Sequence, residues 1–429
     1  MRWCATNKNH CAGKDNYSRD DDNTGKDNYS RDEDNTRENN NAMDEDNIRK
    51  ENKSREENNT KTKGYCEARH YVKVKYSTEV EPGSRAVSTA EMTEKAEKAE
   101  KAEMAEKAEM ADKAKKTGKA KKAEKTEMDN AVRCELCPRY CFLKKGGTGF
   151  CGARKNIGGK LVSINYGRVS SIALDPIEKK PLSRFMPGTV IFSCGSFGCN
   201  LSCDFCQNHS IAQNTPKTDY VSPEDMVGKA LALGKVGNIG IAYTYNEPSI
   251  WFEYVYDCAV LAKERGLKNV LVTNGFINEK PLKELLPYIS AMNIDLKGDG
   301  RFYEALCGTK KRHSITPSYI ETVPKAPDIP TNRIAVSAYD IVKANIEIAS
   351  RHCHVEVTML IVPGKNDDLR FIESAASWLA SVSDEIPLHL SRFFPRNRMT
   401  STQPTPRGFL LSAAKTAGQH LKYVYTGNM

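Results

Sequence analysis

Short apolar runs rich in β-branched residues recur along the chain from about residue 186 onwards. Continuous hydrophobicity of this kind is typical of strands buried on both faces of a parallel sheet. Stretches with the apolar spacing of helices separate most of the runs, which predicts an α/β fold with parallel strands. Six or seven such units are fewer than the eight of a closed barrel, so we expect a partial (β/α)6-type barrel. The predicted strands are 188–193, 238–244, 268–273, 290–296, 354–362, 387–391 and 421–426.

The borders of two predicted helices carry specific signals. In SPEDMVGKALAL, Ser222 is predicted as the N-cap, with Pro223 as the first helical residue and Asp225 at the third position. The stretch SIWFEYVYDCAVLAKERG ends at Gly266, and glycine commonly terminates helices. These borders separate the helices cleanly from the strands.

Polar residues cluster directly after the predicted strands. Three cysteines follow the first strand, and the sequence YNEP at 245–248 follows the second. The third strand ends in TNG, the fourth in DLKG, and PGKND follows the fifth. Parallel α/β folds bind their ligands at the carboxyl ends of the strands. The position of these polar residues after the strands therefore predicts one site at the carboxyl end of the sheet.

Residues 1–130 show neither the apolar runs that predict strands nor the polar clusters that follow them. KDNYSRDDDNTG at 14–25 is followed by the near-copy KDNYSRDEDNTR at 26–37, and few apolar residues occur up to about residue 62. Ordering a residue costs about 1–2 kcal/mol of backbone entropy, which this composition cannot offset by burial. We therefore predict a largely disordered, low-complexity tail. Within it, the Ala-, Glu- and Lys-rich stretch 93–127 is predicted to form a solvated helix.

Composition narrows the class of protein and its compartment. The chain has 429 residues, a formal net charge of +9, 39% hydrophobic residues and a mean hydropathy of −0.60. Neither the N-terminal stretch nor any later run is apolar enough for a signal peptide or a membrane span. We therefore expect a cytoplasmic protein whose fourteen cysteines are thiols or metal ligands rather than disulfides. Neither a membrane nor a nucleic-acid partner is expected.

The stretch CNLSCDFCQN places Cys199, Cys203 and Cys206 on one loop after a predicted strand. A structural zinc site needs four ligands, and His209 is the candidate for the fourth. A cubane 4Fe–4S cluster held by three thiolates leaves one iron open to another ligand. The spacing alone leaves zinc, a cluster and ordinary core cysteines open.

A second group of cysteines precedes the predicted barrel. CELCPRYCFLKKGGTGFC brings Cys134, Cys137, Cys141 and Cys151 close together around a Gly-rich loop. Four such thiols predict a metal site, and the spacing is equally compatible with zinc and with an auxiliary iron–sulfur cluster. The predicted organisation is a tail at 1–130, a Cys-rich segment at 131–185 and a barrel at 186–429 with a Pro-rich insertion at 311–337.

These motifs resemble a known family. Cys199-x3-Cys203-x2-Cys206, with Phe205 before the last cysteine, is similar to the cluster loop of radical S-adenosylmethionine (SAM) enzymes. More narrowly, the chain resembles AmmeMemoRadiSam-type proteins, relatives of the activating enzymes of pyruvate formate-lyase, over about 131–429. The motifs that carry the narrower resemblance are the cysteine group 134–151, GCNLSCDFCQN, AYTYNEP, VTNGF, NIDLKG, VTMLIVPGKND and HLSRFFP.

The resemblance implies a radical SAM enzyme, an oxidoreductase related to the activating enzymes. Its 4Fe–4S cluster would reductively cleave SAM to a 5′-deoxyadenosyl radical that abstracts hydrogen from a substrate. A protein glycyl residue is one candidate substrate, and a flavodoxin- or ferredoxin-like protein is the implied one-electron reductant. The matching residues are Cys199, Cys203 and Cys206 for the cluster, Phe205 at the cofactor, Asn246 and Glu247 for the methionine amino group, Thr273 and Asn274 for the ribose or carboxylate, Asp295 for a cation and Lys297 for the carboxylate.

A competing hypothesis is a metal-stabilised binding module that holds RNA or an acidic protein without radical chemistry. The three-cysteine loop separates the two hypotheses. A structural metal site would close with a fourth protein ligand, whereas a radical enzyme would leave one position for SAM.

Overall fold

The structure is a computed structural model that describes residues 65–73, 130–309 and 336–429. Most of the predicted tail, its predicted helix at 93–127 and the insertion at 311–337, except its last two residues, lie outside the described residues.

Sixteen strands occur in the described part of the chain, and most of the first seven are short. In chain order they are β1 (Cys66–Glu67), β2 (Tyr71–Lys73), β3 (Val132–Cys134), β4 (Phe142–Leu143), β5 (Arg154–Ile157), β6 (Lys160–Ser163), β7 (Arg168–Val169), β8 (Ser171–Pro176), β9 (Val190–Gly195), β10 (Asp219–Tyr220), β11 (Asn238–Tyr243), β12 (Lys268–Thr273), β13 (Ala291–Asp295), β14 (His354–Ile361), β15 (Leu388–Arg392) and β16 (Val424–Gly427).

Eight α-helices occur in the same ranges, most of them between the strands of the main sheet. They are α1 (His209–Ala212), α2 (Pro223–Ala232), α3 (Phe252–Glu264), α4 (Glu279–Leu285), α5 (Gly300–Leu306), α6 (Ala338–Ser350), α7 (Leu369–Val382) and α8 (Arg407–Ala417). Among these described helices, none is both long enough and apolar enough to cross a membrane.

The main sheet has the order β16-β15-β14-β13-β12-β11-β9-β8. The strands from β9 to β16 in this sheet pair in parallel, which confirms the predicted parallel α/β fold. In the described residues β8 and β16 are the two end strands, so the sheet is open, as a partial barrel requires. The antiparallel strand β8 was not predicted, because only alternate residues of SIALDP are covered and no continuous apolar run marks it.

The predicted helix borders are confirmed for α2 and α3. The Ser222 side chain accepts the N–H of Asp225 at 3.1 Å, and Pro223 opens α2. Helix α3 ends at Glu264, two residues before Gly266. A hydrogen-bonded N-cap satisfies a backbone N–H group that the first helical turn leaves unpaired. A cap residue in the sequence therefore marks the start of its helix.

The two faces of the main sheet are covered differently. On one face, Ile177 and Leu182 from the β8–β9 connection pack against Ile191, Val270 and Ala291. On the other face the helices bury a much larger set that includes several aromatic residues of α3. Burying one such side chain contributes roughly 1.5–3 kcal/mol. The helix-covered face therefore supplies most of the core and holds the strand ends in place.

Residues 65–73 belong to the folded part of the chain, which differs from the predicted boundary at residue 130. Strand β1 pairs with β6, and β2 pairs with β3. The buried Ala68 donates its N–H to Leu161 O at 2.7 Å, and the N–H of Arg69 reaches Glu253 Oε1 at 3.0 Å. These residues therefore complete two small antiparallel sheets of the Cys-rich layer.

Candidate functional site

The three predicted cluster ligands lie on the loop between β9 and α1. Other segments hold this loop by its backbone. The N–H of Ser202 donates to Cys307 O at 3.0 Å, and the side-chain amide of Asn397 donates to Cys203 O at 3.0 Å. The loop is therefore anchored both to the end of α5 and to the chain after β15. The ligands it carries are Cys199, Cys203 and Cys206.

The three thiols are shielded from water. Cys203 is buried, and Cys199 and Cys206 are half-buried. Burial raises the pKa of the Cys199 thiol well above its ordinary value and that of Cys206 to about 11. A hydrogen bond with Cys307, together with burial, raises the pKa of Cys203. Binding of iron by these thiols would therefore displace protons.

The described residues do not assemble a single-ion site from these thiols and His209. Among the described residues, no three His, Cys, Asp or Glu side chains are placed to share one metal ion. His209, the candidate fourth zinc ligand, instead has its Nδ1 3.2 Å from Cys206 O.

Glu247 lies beside this loop in the second predicted motif. It is 3% exposed, and its Oε1 accepts the Thr273 hydroxyl at 2.6 Å and the Ser249 N–H at 2.9 Å. Its Oε2 accepts the Asn274 N–H at 2.8 Å. Burial raises the pKa of Glu247 despite these bonds, and its charge acts on the thiol of Cys199. A carboxylate has about four acceptor positions, so one is left for a ligand.

Asn246 and Tyr245 position the loops around Glu247. The Asn246 side chain accepts the Ser196 N–H at 2.9 Å and donates to Gly198 O at 3.1 Å, so it braces the start of the cluster loop. Tyr245 has a φ of 71°, a strained conformation for a residue with a side chain. Its carbonyl accepts the amide of Asn208, just after the third cysteine, at 2.8 Å. The two residues tie the second motif to the first.

The end of β12 supplies Thr273 and Asn274. Both are nearly buried, and the Asn274 side chain donates to Asn200 Oδ1 at 2.8 Å and lies 3.6 Å from Cys199 Sγ. Gly275 follows with a φ of 66°, and an added Cβ would sit 2.8 Å from Ile294 Cγ2. The TNG motif is therefore more than a turn, because it places an amide against a predicted cluster ligand.

Asp295 and Lys297 form an ion pair at the end of β13, with 2.7 Å between Oδ2 and Nζ. Burial opposes the charged form of Lys297, but the Asp295 carboxylate prevails and raises the pKa of the lysine. The lysine ammonium also acts electrostatically on the thiols of Cys203 and Cys206. Its Nζ lies 6.0 Å from the ring centre of the buried Phe205. The cation that Asp295 holds in this structure is therefore Lys297 itself.

The structure thus brings the predicted site residues together at the carboxyl ends of β9, β11, β12 and β13. Asn246 acts through the backbone of the cluster loop rather than from an open position. Sequence reasoning missed Cys307, which lies outside both cysteine motifs but contacts Cys203. It also missed Tyr303, whose hydroxyl donates to Asp295 O at 3.3 Å. Neither residue has a local sequence signal, because both reach the site through the fold.

A family model and a relative of similar sequence show which family this chain belongs to. The model is described as the Radical SAM superfamily and matches residues 194–374. The uncharacterized protein MJ0808 of Methanocaldococcus jannaschii is 41% identical over 312 residues, which cover 70% of this chain and 82% of that protein. This chain belongs to the radical SAM superfamily. The family implies a 4Fe–4S cluster and SAM, and radical SAM enzymes generally need a one-electron reductant.

Other similarities are shorter or more distant. Molybdenum cofactor biosynthesis protein 1 of Bos taurus is 34% identical over 103 residues, 23% of this chain and 16% of that protein. A radical SAM methyltransferase from Sphaerobacter thermophilus has a TM-score of 0.40 at 14% identity, covering 56% of this chain and 67% of that one. A domain of pyruvate-formate lyase-activating enzyme from Bacteroides vulgatus has a TM-score of 0.33 at 16% identity, covering 44% of this chain and 99% of that one. Such low TM-scores say nothing about the substrate of this chain.

Proposed function

We propose that this radical SAM enzyme binds its cluster through Cys199, Cys203 and Cys206 and cleaves SAM to start hydrogen abstraction from an organic substrate. The observation that supports this is the placement of the three-cysteine loop beside a buried carboxylate and a half-buried ion pair at adjacent strand ends. When bound, the cluster and SAM together supply a 5′-deoxyadenosyl radical.

The cysteine loop holds its occupant in a water-poor setting. Leu201 N–H donates to Cys199 Sγ at 3.3 Å, and the Asn274 amide approaches the same sulfur. Donors of this kind stabilise a thiolate and so favour metal binding. Three thiolates leave one iron of a cubane open, and the family implies SAM as the ligand of that iron.

Glu247 is proposed to bind the methionine amino group with its remaining acceptor position. Its other positions are occupied by Ser249, Thr273 and Asn274, which fix the carboxylate in one orientation. Hydrogen bonds to an ionised acceptor are worth roughly 1.5–3 kcal/mol in a site shielded from water. Glu247 therefore serves both as a brace for the β12 end and as a contact for the cofactor.

Lys297 is proposed to meet the methionine carboxylate. Asp295 holds the ammonium at 2.7 Å, so the side chain is oriented before any ligand arrives. A preoriented cation next to two thiolates also offsets part of the negative charge of a bound cluster. Phe205, which packs against Phe302 at 5.5 Å, is proposed to form the apolar wall of the cofactor site.

The narrower assignment is that of an AmmeMemoRadiSam-type enzyme related to pyruvate formate-lyase activating enzymes. It rests on the ordered motifs from GCNLSCDFCQN to HLSRFFP. On this proposal the substrate is an organic group such as a protein glycyl residue, and the electron comes from a flavodoxin- or ferredoxin-like protein. The alternative of a binding module for RNA or an acidic protein is not favoured by the family.

The test is anaerobic turnover of the full chain with SAM and dithionite. We expect equal amounts of methionine and 5′-deoxyadenosine, measured by liquid chromatography and mass spectrometry. The variant Cys206→Ala should form neither product. Its matched control is Cys258→Ala, which removes a buried thiol within α3 and should leave turnover unchanged. Wild-type protein that carries a cluster and binds SAM yet forms no 5′-deoxyadenosine would refute the proposal.

A further inference from the structure

Two buried asparagines lie beside Cys199 at the carboxyl end of the sheet. Asn200 follows this cysteine in the cluster loop and is fully buried, and Asn274 stands at the end of β12 and is 5% exposed. The Asn274 Nδ2 donates to Asn200 Oδ1 at 2.8 Å and lies 3.6 Å from Cys199 Sγ. One side-chain amide therefore directs its two N–H groups at the partner asparagine and at the sulfur of a predicted cluster ligand.

Backbone groups fix the orientation of both amides. The N–H of Phe276 donates to Asn274 Oδ1 at 2.8 Å, so the amide nitrogen of Asn274 has to face Cys199. The Asn200 Nδ2 donates to Phe276 O at 2.6 Å, so the side-chain oxygen of Asn200 has to face Asn274. A flip of either amide would oppose two donors or two acceptors in a buried place, which costs free energy. The turn after β12 therefore determines that an N–H group points at the sulfur.

Other segments hold the two asparagines in place. The Asn274 N–H donates to Glu247 Oε2 at 2.8 Å, and Arg139 Nε donates to Asn200 O at 2.6 Å. Arg139 comes from the Cys-rich segment, whose four cysteines line a cavity of about 10 Å³ that Asn200 also borders. The pair is therefore braced from the second motif and from the Cys-rich layer. The four cysteines of that cavity are Cys134, Cys137, Cys141 and Cys151.

The sulfur of Cys199 thus has two donors close to it, the Leu201 N–H at 3.3 Å and the Asn274 amide at 3.6 Å. Hydrogen bonds to the sulfur ligands are one of the factors that set the reduction potential of an iron–sulfur cluster. Reduction adds an electron, so a donor at a ligand sulfur stabilises the reduced state more than the oxidised state. The Asn274 amide should therefore raise the potential.

We propose that Asn274, held by Asn200, is a positioning residue that raises the reduction potential of the cluster bound by the three-cysteine loop. The inference rests on the proposed function, since it requires that cluster. It also changes the role that the family resemblance implies for Asn274, because neither amide N–H is left to donate to the carboxylate of SAM. A higher potential allows a weaker one-electron reductant to reduce the cluster.

The test is a redox titration of the full chain with Asn274→Leu, which has a similar volume but lacks both N–H groups. After anaerobic reconstitution, the reduced cluster is followed by the EPR signal that shifts when SAM is added, so a metal centre elsewhere in the chain does not interfere. We expect a midpoint potential more negative than that of the wild type, with iron content and SAM affinity close to wild-type values. An unchanged potential would overturn the inference. Weaker SAM binding at an unchanged potential would instead make Asn274 a contact of the cofactor.

Asn345 provides the matched control. Its buried side chain donates to Gly275 O and Ile277 O, both at 2.8 Å, so it braces the same turn, and neither of these bonds goes to a sulfur. Asn345→Leu should leave the potential at the wild-type value. An equal shift in Asn345→Leu and Asn274→Leu would assign the effect to the position of the turn and overturn the inference.

A double substitution tests whether Asn200 acts through Asn274. Asn200→Leu removes the acceptor that orients the Asn274 amide, so it should shift the potential in the same direction by a smaller amount. Combined with Asn274→Leu it should add no further shift, because the donor that it orients is already gone. Fully additive shifts would contradict the role given to Asn200.

A second variant covers loss of folding. Asn274→Ser leaves an oxygen that can accept the Phe276 N–H, as serine does in turns, but it lacks the amide. If Asn274→Leu does not bind iron, the potential of Asn274→Ser decides, and a wild-type value would overturn the inference. Cleavage of SAM by the wild type reports separately on the proposed function, since the potential can be measured whether or not 5′-deoxyadenosine forms.

Discussion

Two buried glutamates stand at opposite ends of the parallel sheet and behave differently. Glu247 follows β11 at the carboxyl end, and Glu356 lies near the start of β14 at the amino end. Both are at most 3% exposed and both accept several hydrogen bonds. Burial acts to raise the pKa of each. It prevails at Glu247, whereas at Glu356 hydrogen bonds prevail and lower the pKa to about 2.

The donors explain the difference. Glu356 accepts His354 Nε2 at 2.9 Å, His389 Nε2 at 2.6 Å and the backbone N–H groups of Ser183 and Arg184. These donors occupy its acceptor positions, so the carboxylate is fully satisfied by the protein. Glu247 has one position left and lies near thiols. The amino end is thus built for stability, and the carboxyl end keeps bonding capacity for a ligand.

The largest expected effect tests which end carries the chemistry. Cys203→Ala at the carboxyl end should abolish 5′-deoxyadenosine formation, because the cluster loses a ligand. Glu356→Gln at the amino end should keep the turnover of the folded wild type. Both are measured under anaerobic single-turnover conditions. Equal losses of 5′-deoxyadenosine formation in the two variants would mean that the two ends of the sheet do not differ in their importance for turnover.

The next effect is on stability. Glu356→Gln should lower the free energy of unfolding by roughly 2–3 kcal/mol near pH 7, because its lowered pKa reflects stabilisation of the ionised form. That contribution is fully present above the ordinary pKa of 4.5 and is lost as the pH falls toward about 2. Denaturant titrations of wild type and variant should therefore converge in acid. A gap that stays constant with pH would assign the loss to packing instead.

Glu247→Gln should affect binding rather than folding. Loss of one charged hydrogen bond to the cofactor should weaken SAM affinity about ten- to a hundredfold, with cluster content unchanged. Anaerobic titration of SAM against the EPR shift of the cluster measures this. Affinity equal to that of the wild type would remove Glu247 from the cofactor site, and a lost cluster would make its role structural.

The raised pKa of Glu247 predicts a pH dependence. The carboxylate accepts from the amino group only when ionised, so SAM affinity should fall as the pH drops through this raised pKa. The loss should begin at a higher pH than an ordinary glutamate would give, and it should be absent in Glu247→Gln. A variant with the same acid limb as the wild type would place the titrating group elsewhere.

The smallest effects concern the chain before the Cys-rich segment. A chain that begins at Lys63 should cleave SAM as fast as the full chain. A chain that begins at Asn130 lacks the Arg69 N–H that donates to Glu253 Oε1, and so should lose about 1–2 kcal/mol of stability. Thermal unfolding and turnover of the two truncated chains check this. Identical stability would mean that residues 65–73 do not stabilise the folded part of the chain.

The sequence by itself determined the strands and the first cluster loop. Apolar runs mark strands buried on both faces wherever they occur, and the three cysteines follow one such run within eight residues. The N-cap at Ser222 was equally readable, because its partner is only three residues away. Such features depend on residues close together along the chain.

The tertiary structure decided the contacts between distant residues. The bond of Arg154 to Glu253 spans 99 positions, and that of Glu356 to His389 spans 33. Cys307 reaches Cys203 only because α5 ends against the cluster loop. A polar residue in an apolar run carries no mark of its partner, since burial and hydrogen bonding are fixed only when the elements pack. The periodicity therefore showed where the site would be, and packing decided how each carboxylate and thiol within it is bonded.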